Sequence, residues 1–347
     1  MEIKKDLRSI KYDELIQVIT ALGEPKYRAN QVFDWLHSKG VDTYEGMLNV
    51  SRSLKEKLFA EYDIYTLDIV EVLESKYDGT KKYLFSLHDG NIIESVFMRY
   101  EHGNSVCVSS QVGCNMGCRF CASTIDGKVR NLTAGEIAGQ IYGIEKETGE
   151  RVSNVVVMGS GEPLDNYDNL IDFIELITCE QGINISQRNI TVSTCGLVDK
   201  IYELAKLDLQ ITLAISLHAS TDEKRKALMP IANKYSLSEL MEACRDYFDT
   251  TKRRITFEYA LVKDENDTDE DAATLSKLIG GLNCHVNLIP VNPIKERNYR
   301  QSDRSAVLSF KNKLEKNHIN VTIRREMGRD IDGACGQLRR KYLSDFS

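Results

Sequence analysis

Three cysteines form a Cys-x3-Cys-x2-Cys run at Cys114, Cys118 and Cys121. Three thiolates on one tight loop can ligate three irons of a cubane iron–sulfur cluster. Gly113 and Gly117 leave the backbone room to wrap around the metal. Because the local set stops at three ligands, one iron would remain open, as a catalytic metal site requires. The alternatives are a structural zinc site completed by a distant residue, and cysteines that merely fill the core.

The composition narrows the class of protein. The chain has 347 residues, of which 42% are apolar and 28% charged. This balance is typical of a globular protein of about two domains, and it excludes disordered, fibrous and small disulfide-stapled chains. The first six residues lack the apolar core of a signal peptide, and no apolar run approaches the ~20 residues of a membrane helix. We therefore predict a cytoplasmic protein whose nine cysteines do not form structural disulfides.

A basic segment near the C-terminus contrasts with the net charge of −7, which argues against a general nucleic-acid coat. Between Arg324 and Lys341 there are six basic residues and three acidic ones. A basic patch on an acidic chain is typical of a selective RNA-binding site, because arginine and lysine side chains contact phosphates. A solvated segment without a partner is the alternative.

Four regions differ in the spacing of their apolar residues. Residues 1–65 show helical spacing, and residues 66–103 form a β-extension of short alternating runs separated by Asp-Gly turns. Strands and helices alternate over 104–325, and 326–347 form a C-terminal tail. Helices are predicted over 12–22, 28–38 and 54–62, and strands over 82–86 and 92–97.

The alternating region predicts a parallel sheet, since its strands are separated by amphipathic helices, and about six such units predict an open or closed barrel. One helix begins at Thr133-Ala-Gly-Glu136, which has the form of a capping box. Functional side chains of such a sheet gather where the strands end. The predicted strands cover 105–109, 154–158, 189–193, 211–217, 256–261, 286–290 and 321–324.

An open iron at the first strand of such a barrel resembles the radical S-adenosylmethionine (SAM) superfamily. The segment Gly159-Ser-Gly161-Glu162-Pro163 is similar to the superfamily's stretch that hydrogen-bonds the SAM amino group. Several motifs in order resemble the RlmN family over nearly the whole chain, although Ser160 stands where that family commonly has a larger apolar residue. These motifs are residues 24–31, 109–114, 158–164, 216–218, 285–293 and 330–338.

The resemblance implies an α/β protein, a partial (β/α)6 radical SAM barrel with a small helical N-terminal domain and a short β-extension. It implies methylation of carbon 2 of an adenine in 23S rRNA, and of the adenine 3′ of the anticodon in certain tRNAs. The cofactors would be a [4Fe-4S] cluster on Cys114, Cys118 and Cys121, and two SAM molecules per turnover, one as methyl donor and one as radical source. The expected partners are RNA and a one-electron reductase such as flavodoxin or ferredoxin. We expect a monomer with no membrane partner.

The chemistry of the target explains why a carrier cysteine is needed. Carbon 2 of adenine is electron-poor and the SAM methyl is an electrophile, so direct polar transfer has no nucleophile. The resemblance implies that Cys335 carries the methyl, that Cys107 resolves a covalent enzyme–RNA adduct through a transient disulfide, and that Glu94 accepts a proton. The SAM contacts it implies are Gly161, Glu162, Ser193, Ser216, Leu217, His218 and Asn292.

Each of these residues also has a purely structural interpretation. A cysteine in a strand, such as Cys107, is usually a buried small apolar residue. Glu94 stands in an alternating strand, where a solvent-facing carboxylate is expected, and His218 and its polar neighbours could simply end strands. The glycine-rich polar stretch around Cys335 favours exposure of that thiol. The cysteines without a motif are interpreted as structural, namely Cys179, Cys195, Cys244 and Cys284.

Two other functions are compatible with the cysteine run. The sister family, Cfr, methylates carbon 8 of the same rRNA adenine, but Pro163 favours RlmN because Cfr-type sequences tend to carry alanine there. A non-catalytic iron–sulfur RNA-binding protein would need neither Cys107 nor Cys335. The N-terminal helical domain is interpreted as an RNA-binding accessory domain that recognises shape and phosphates, with a packing role as the alternative.

Overall fold

The computed structural model describes residues 4–291 and 299–331, together with Leu338, Arg339 and Tyr342. Asn292 and Cys335 therefore lie outside the described residues. The helices are α1 (Tyr12–Ala21), α2 (Tyr27–His37), α3 (Arg52–Glu61), α4 (Ala134–Thr148), α5 (Tyr167–Thr178), α6 (Val198–Ala205), α7 (Asp222–Leu228), α8 (Leu237–Thr251), α9 (Asp269–Leu278) and α10 (Arg304–Lys316).

The strands alternate with these helices after residue 150 and cluster before residue 132. They are β1 (Lys5–Asp6), β2 (Tyr62–Asp63), β3 (Asp68–Glu74), β4 (Lys81–Ser86), β5 (Ile92–Tyr100), β6 (Gly103–Cys107), β7 (Gln111–Gly113), β8 (Lys128–Asn131), β9 (Val152–Val157), β10 (Ile190–Thr194), β11 (Thr212–Ser216), β12 (Ile255–Leu261), β13 (Cys284–Pro290) and β14 (Asn320–Ile323).

The three helices predicted near the N-terminus are confirmed. Helix α1 buries Leu15 and Ile19, which are four residues apart and so lie on one face of the helix. Helix α3 is capped by Ser51, whose side chain accepts a hydrogen bond from the Leu54 backbone N–H. This bond satisfies one of the orphan donors at the start of the helix. None of the helices that the structure describes has the length and apolar character needed to cross a bilayer.

One ten-stranded sheet organises most of the chain. Its order is β14-β13-β12-β11-β10-β9-β6-β5-β4-β3. Neighbouring strands from β14 to β6 are parallel, whereas β6, β5, β4 and β3 pair antiparallel. The alternating strand–helix pattern is thus confirmed as a parallel sheet. The antiparallel strands continue the same sheet beyond β6, so their side chains extend its two faces.

The two faces of the parallel strands differ in polarity. The face covered by helices is apolar: Val155 of β9, Val192 of β10 and Phe257 of β12 belong to the main hydrophobic core. The opposite face, called the inner face below, carries polar residues at the alternate positions, such as Ser193 and Glu258. Successive strand residues point to opposite faces. An inner face with buried polar side chains is typical of a sheet that binds a polar ligand there.

Candidate active site

A small antiparallel pair of strands, β7 and β8, closes the loop that carries the three clustered cysteines. The Cys114 backbone N–H donates to the Gly127 carbonyl at 3.1 Å, next to the ladder. Gly113 has φ +76°, and a Cβ at this position would lie 1.9 Å from the Gly127 oxygen. Only glycine therefore permits this approach of the two backbones.

Side chains inside the loop hold it further. The Thr124 hydroxyl donates to the carbonyls of Cys118 and Cys121, each at 3.0 Å. The Asn115 side chain accepts from the Lys128 backbone N–H at 2.8 Å. The loop is therefore fixed by its own hydrogen bonds, independently of any metal.

The donor set of this loop suits an iron–sulfur cluster. Cys114 and Cys118 are buried, and Cys121 is partly buried. Burial raises the pKa of the Cys114 thiol to about 12 and that of Cys118 well above its ordinary value. Such thiols lose their protons when a metal cation binds. In the part of the chain that is described, no three donors converge on a single ion, and a cubane places only one thiolate on each of three irons.

The Gly159–Pro163 segment is held by the loop that follows β6. The Ser160 carbonyl accepts from the backbone N–H groups of Ser110 and Gln111 at 2.9 and 3.1 Å, and the Ser160 N–H donates to the Ser109 hydroxyl at 2.9 Å. A Cβ on Gly161 would lie 2.7 Å from Gln111. These contacts use the backbone of Ser160, so its unusual side chain leaves them intact.

Glu162 joins the ends of two neighbouring strands. Its backbone N–H donates to the Gln111 side chain at 2.9 Å. One carboxylate oxygen accepts from the Leu164 N–H at 3.0 Å and the other from the Cys195 N–H at 2.7 Å. Burial raises the pKa of this carboxyl group, and the hydrogen bonds oppose that rise.

The predicted contacts after β10 and β11 come together. The hydroxyl oxygens of Ser193 and Ser216 are 3.3 Å apart, and Leu217 is buried beside them. His218 is also buried, and its ring packs edge-to-face on Phe120 of the cysteine loop. These four residues therefore lie at or near the ends of β10 and β11.

The His218 ring has a defined protonation state. Its Nδ1 accepts from the Ala260 backbone N–H at 2.9 Å, and burial lowers the pKa of the ring to about 3. The ring is therefore neutral at pH 7, with its proton on Nε2 as a donor. His218 also has φ +55°, a left-handed backbone conformation, two residues after the end of β11. The strand-ending role and a ligand-binding role are compatible.

Glu94 is buried, so its interpretation as a solvent-facing carboxylate is wrong. Only 5% of the residue is exposed, and the Lys82 Nζ lies 3.2 Å from its carboxylate. The Arg339 backbone N–H donates to the same carboxylate. The Ser109 hydroxyl donates to the Glu94 carbonyl at 2.7 Å, which links Glu94 to the segment that holds Ser160.

Cys107 lies on the same sheet face as Glu94. It pairs with Val96 across the β5–β6 ladder, and Val96 is two residues from Glu94 on β5. Cys107 is buried in a small apolar cluster with Val96, Met98 and the partly buried Met327. No disulfide joins any two of the cysteines that are described.

The chain on both sides of residues 332–337 contacts this face. Met327 packs in the Cys107 cluster, and Leu338 packs on Leu84 and Ile92 of the antiparallel strands. The Arg339 guanidinium donates to the Ile92 carbonyl at 2.8 Å. Arg339 is therefore buried, which corrects its assignment to a solvent-exposed basic patch. Arg340 and Lys341, two other members of that patch, lie outside the described residues.

Comparisons with known proteins agree with this arrangement. The sequence profile "Radical SAM superfamily" matches residues 108–275, and "Ribosomal RNA large subunit methyltransferase N-terminal domain" matches residues 5–64. The chain is 64% identical over 98% of its length to a probable dual-specificity RNA methyltransferase RlmN of Lachnospira eligens, 97% of which is covered. It is 57% identical over 98% of its length to the RlmN protein of Clostridium novyi, 99% of which is covered. The chain belongs to the RlmN family.

A crystal structure of a radical SAM methyltransferase from Sphaerobacter thermophilus has the same fold. The TM-score is 0.91 at 39% identity, with 96% of this chain and 98% of that chain covered. The expected radical SAM fold is thereby confirmed. RlmN-family proteins are radical SAM methyltransferases, and this class uses a [4Fe-4S] cluster and SAM. A non-catalytic iron–sulfur protein is not supported.

Sequence reasoning missed several residues that shape this RlmN-family site. Lys82 is fully buried beside Glu94, although it begins an alternating strand where a lysine is expected to face solvent. Gln111 belongs to a recognised motif, yet its role in holding Glu162 follows only from the fold. Glu258 lies on the inner face beside Ser216 and accepts from the Asn287 amide at 2.8 Å. The sequence did give one indication of this residue, because Glu258 is a carboxylate within an otherwise largely apolar predicted strand.

Proposed function

We propose that this enzyme methylates carbon 2 of an adenine in 23S rRNA and of the adenine 3′ of the anticodon in certain tRNAs. The names of its relatives support an RNA substrate. The observation that carries the proposed mechanism is the shared face of Glu94 and Cys107. Chain segments from both sides of Cys335 contact that face.

The residues that would hold the cofactors are those that the family resemblance implies. Cys114, Cys118 and Cys121, which lie together on one loop, would ligate the cluster. SAM would contact the Gly161–Glu162 segment and the residues at the ends of β10 and β11, together with Asn292. These strand-end residues are Ser193, Ser216, Leu217 and His218. When bound, the cluster and SAM supply the carbon radical that removes a hydrogen atom from the carrier methyl.

Three residues would perform the remaining chemistry. Cys335 carries the methyl, whose carbon bonds to the adenine after hydrogen removal, so that enzyme and RNA are linked. Glu94 takes the ring proton, and its ion pair with Lys82 holds its carboxylate in place. The unpaired electron of the adduct would pass to the oxidised cluster, which SAM cleavage leaves able to accept one electron. The Cys107 thiolate then attacks the Cys335 sulfur and forms a disulfide. The sulfur–carbon bond breaks, and its electron pair stays on the carbon, which takes a proton and becomes the product methyl.

The RNA must present one unstacked base to this face, because its target atom is inaccessible within a stack. Arg324 and Arg325, which follow β14, and Arg329 are exposed and would provide phosphate contacts. The N-terminal helices would contribute recognition of RNA shape. We place this monomeric enzyme in the cytoplasm with its RNA substrates, reduced by a flavodoxin or ferredoxin.

The proposal is tested by two chemically equal substitutions. Cys107→Ala leaves the carrier and the radical source in place and removes only the resolving thiol, so it should trap the protein covalently on RNA. Cys335→Ala removes the carrier and should give neither adduct nor product. Denaturing gels of each protein, purified anaerobically with its cluster, measure the RNA-shifted band.

Three outcomes would contradict parts of this proposal. Cys107→Ala protein without bound RNA would refute the resolving role, and equal adducts from both variants would refute the carrier role of Cys335. Mass spectrometry of RNA modified by the unaltered enzyme locates the methyl. A methyl on carbon 8 rather than carbon 2 would indicate Cfr-like chemistry and leave the cysteine roles standing.

A further inference from the structure

Arg225 of α7 is a completely buried arginine close to the cysteine loop. Its exposed fraction is 0%, and it is among the largest fully buried side chains of the described chain. Its Nη1 has no hydrogen-bond partner among the described residues, and no carboxylate there forms an ion pair with it. A buried guanidinium is costly unless an anion compensates its charge. Among the described residues no carboxylate lies in direct contact with the guanidinium, and Asp222 of the same helix acts on its charge only from a distance.

The hydrogen bonds that Arg225 does make go to neutral carbonyls. Its Nη2 donates to the Cys195 carbonyl at 2.6 Å, and its Nε donates to the Leu217 carbonyl at 3.2 Å. These carbonyls follow β10 and β11, so the guanidinium ties the ends of two strands together. Both strands carry the proposed SAM contacts Ser193 and Ser216. Carbonyl dipoles orient the guanidinium but leave its net charge uncancelled.

The end of α7 packs directly on the cysteine loop. The Arg119 backbone N–H, inside the Cys-x2-Cys segment, donates to the Leu228 carbonyl at 2.9 Å. Leu228 and Met229 share a small apolar cluster with Cys118 and Cys195. Arg225 donates to the carbonyl of this same Cys195. The buried positive charge therefore lies beside a proposed cluster ligand in a water-poor interior.

We propose that Arg225 is the counter-charge of the iron–sulfur cluster, and that it raises the cluster's reduction potential. This inference rests on the proposed cluster at Cys114, Cys118 and Cys121. Three thiolates and the cluster core together carry net negative charge, and reduction adds one more electron. A fixed cation nearby stabilises the reduced form more than the oxidised form, and low polarity strengthens the effect. Arg225 is thus a positioning residue that acts through the cluster.

The test compares two substitutions in anaerobically reconstituted full-length protein. Arg225→Gln removes the charge and keeps a polar side chain, whereas Arg225→Lys keeps the charge and loses the fork that binds two carbonyls. Arg245→Gln, at an exposed position of α8, removes one positive charge where solvent screens it. Iron content and the midpoint potential, followed by electron paramagnetic resonance without RNA, are measured for each.

The potential should fall in Arg225→Gln and stay near the unaltered value in Arg225→Lys and Arg245→Gln. An unchanged potential in Arg225→Gln with a full cluster would overturn the inference. If Arg225→Gln does not hold its cluster, Arg225→Lys decides: a retained potential supports the charge role, and a lowered one refutes it. Zinc instead of iron in the unaltered protein would refute the proposed cluster itself, a failure distinct from that of Arg225.

Discussion

Alanine in place of Gly113 should disrupt the cysteine loop far more than a left-handed backbone conformation alone explains. Gly113 has φ +76°, which costs an L-residue roughly 1–2 kcal/mol. Its new Cβ would also lie 1.9 Å from the Gly127 carbonyl oxygen, a backbone atom that cannot rotate away. Overpacking of this kind adds about 1–3 kcal/mol. We expect the free energy of unfolding to fall by about 2–5 kcal/mol in total.

The same clash should impair metal binding. The Gly127 carbonyl accepts the hydrogen bond of the Cys114 N–H, so any displacement that relieves the clash also moves a proposed cluster ligand. Gly113→Ala protein, reconstituted anaerobically, should therefore hold clearly less iron per chain than the unaltered protein. Urea unfolding of the same samples measures the loss of stability.

Gly23 provides a matched control. Its φ is +77°, and apart from its chain neighbours no atom lies within 4 Å of the position that a Cβ would take there. Gly23→Ala thus introduces the backbone strain without the clash. This variant should lose only about 1–2 kcal/mol and keep its iron. Equal losses of stability and full iron in both variants would refute the argument that the close approach at Gly113 shapes the loop.

Three further outcomes are expected. Lys82→Met should lower the unfolding free energy by about 3–5 kcal/mol in urea titrations, because it removes the ion pair between Lys82 and the buried Glu94 carboxylate. Adding Glu94→Gln should recover part of that loss, and a purely additive second loss would contradict the pairing. Replacing both Arg324 and Arg325 with alanine should make the slope of log affinity for RNA against log salt concentration shallower by roughly 0.7–0.9 per lost phosphate contact. An unchanged slope would show that RNA does not contact these two residues. Burial lowers the pKa of His37 to about 3, so as pH falls the ring takes up a proton in the unfolded chain before it does so in the folded chain. The free energy of unfolding that is present above pH 6.5 is therefore lost as pH falls toward 3. The decline between pH 7 and pH 5 should be shallower by about 2 kcal/mol in His37→Gln, and an equal decline would show that this ring does not carry it.

The strands of the parallel sheet could be predicted from the sequence because short apolar runs alternate there with segments of helical apolar spacing. Both patterns are local, so each can be read from neighbouring residues. The predicted strand over 256–261, for example, is confirmed as β12 (Ile255–Leu261). Strand β3 was missed because its Asp-Ile-Val-Glu-Val-Leu-Glu sequence carries charges along a largely exposed edge, where pairing with β4 rather than burial creates the strand. Strand β7 has only three residues, so no periodicity can mark it.

The residues of the candidate site also fall into two groups, those that the sequence reveals and those that only the fold reveals. The cysteine run could be recognised because its three proposed ligands lie on one loop, where spacing along the chain determines spacing in space. The environment of Glu94 could not, since the backbone N–H that binds its carboxylate belongs to a residue 245 positions away. Arg225 lies in a helix of sequence Asp-Glu-Lys-Arg-Lys-Ala-Leu, which is typical of a solvated helix. Its contacts with the ends of β10 and β11, together with the packing of the helix end on the cysteine loop, bury that charge.

The hydrogen bond between Glu94 and the Arg339 backbone also orders events during synthesis. A ribosome releases the chain from its N-terminus, so β4, β5 and the cysteine loop emerge well before residue 339 does. The loop has hydrogen bonds of its own, mostly among residues 113–128, and these can form as soon as that stretch is outside the exit tunnel. Glu94 accepts its hydrogen bond from Arg339 only after nearly the whole chain has emerged. A nascent chain can thus complete the loop of the three proposed cluster ligands before Cys335, the proposed methyl carrier, has been released from the ribosome.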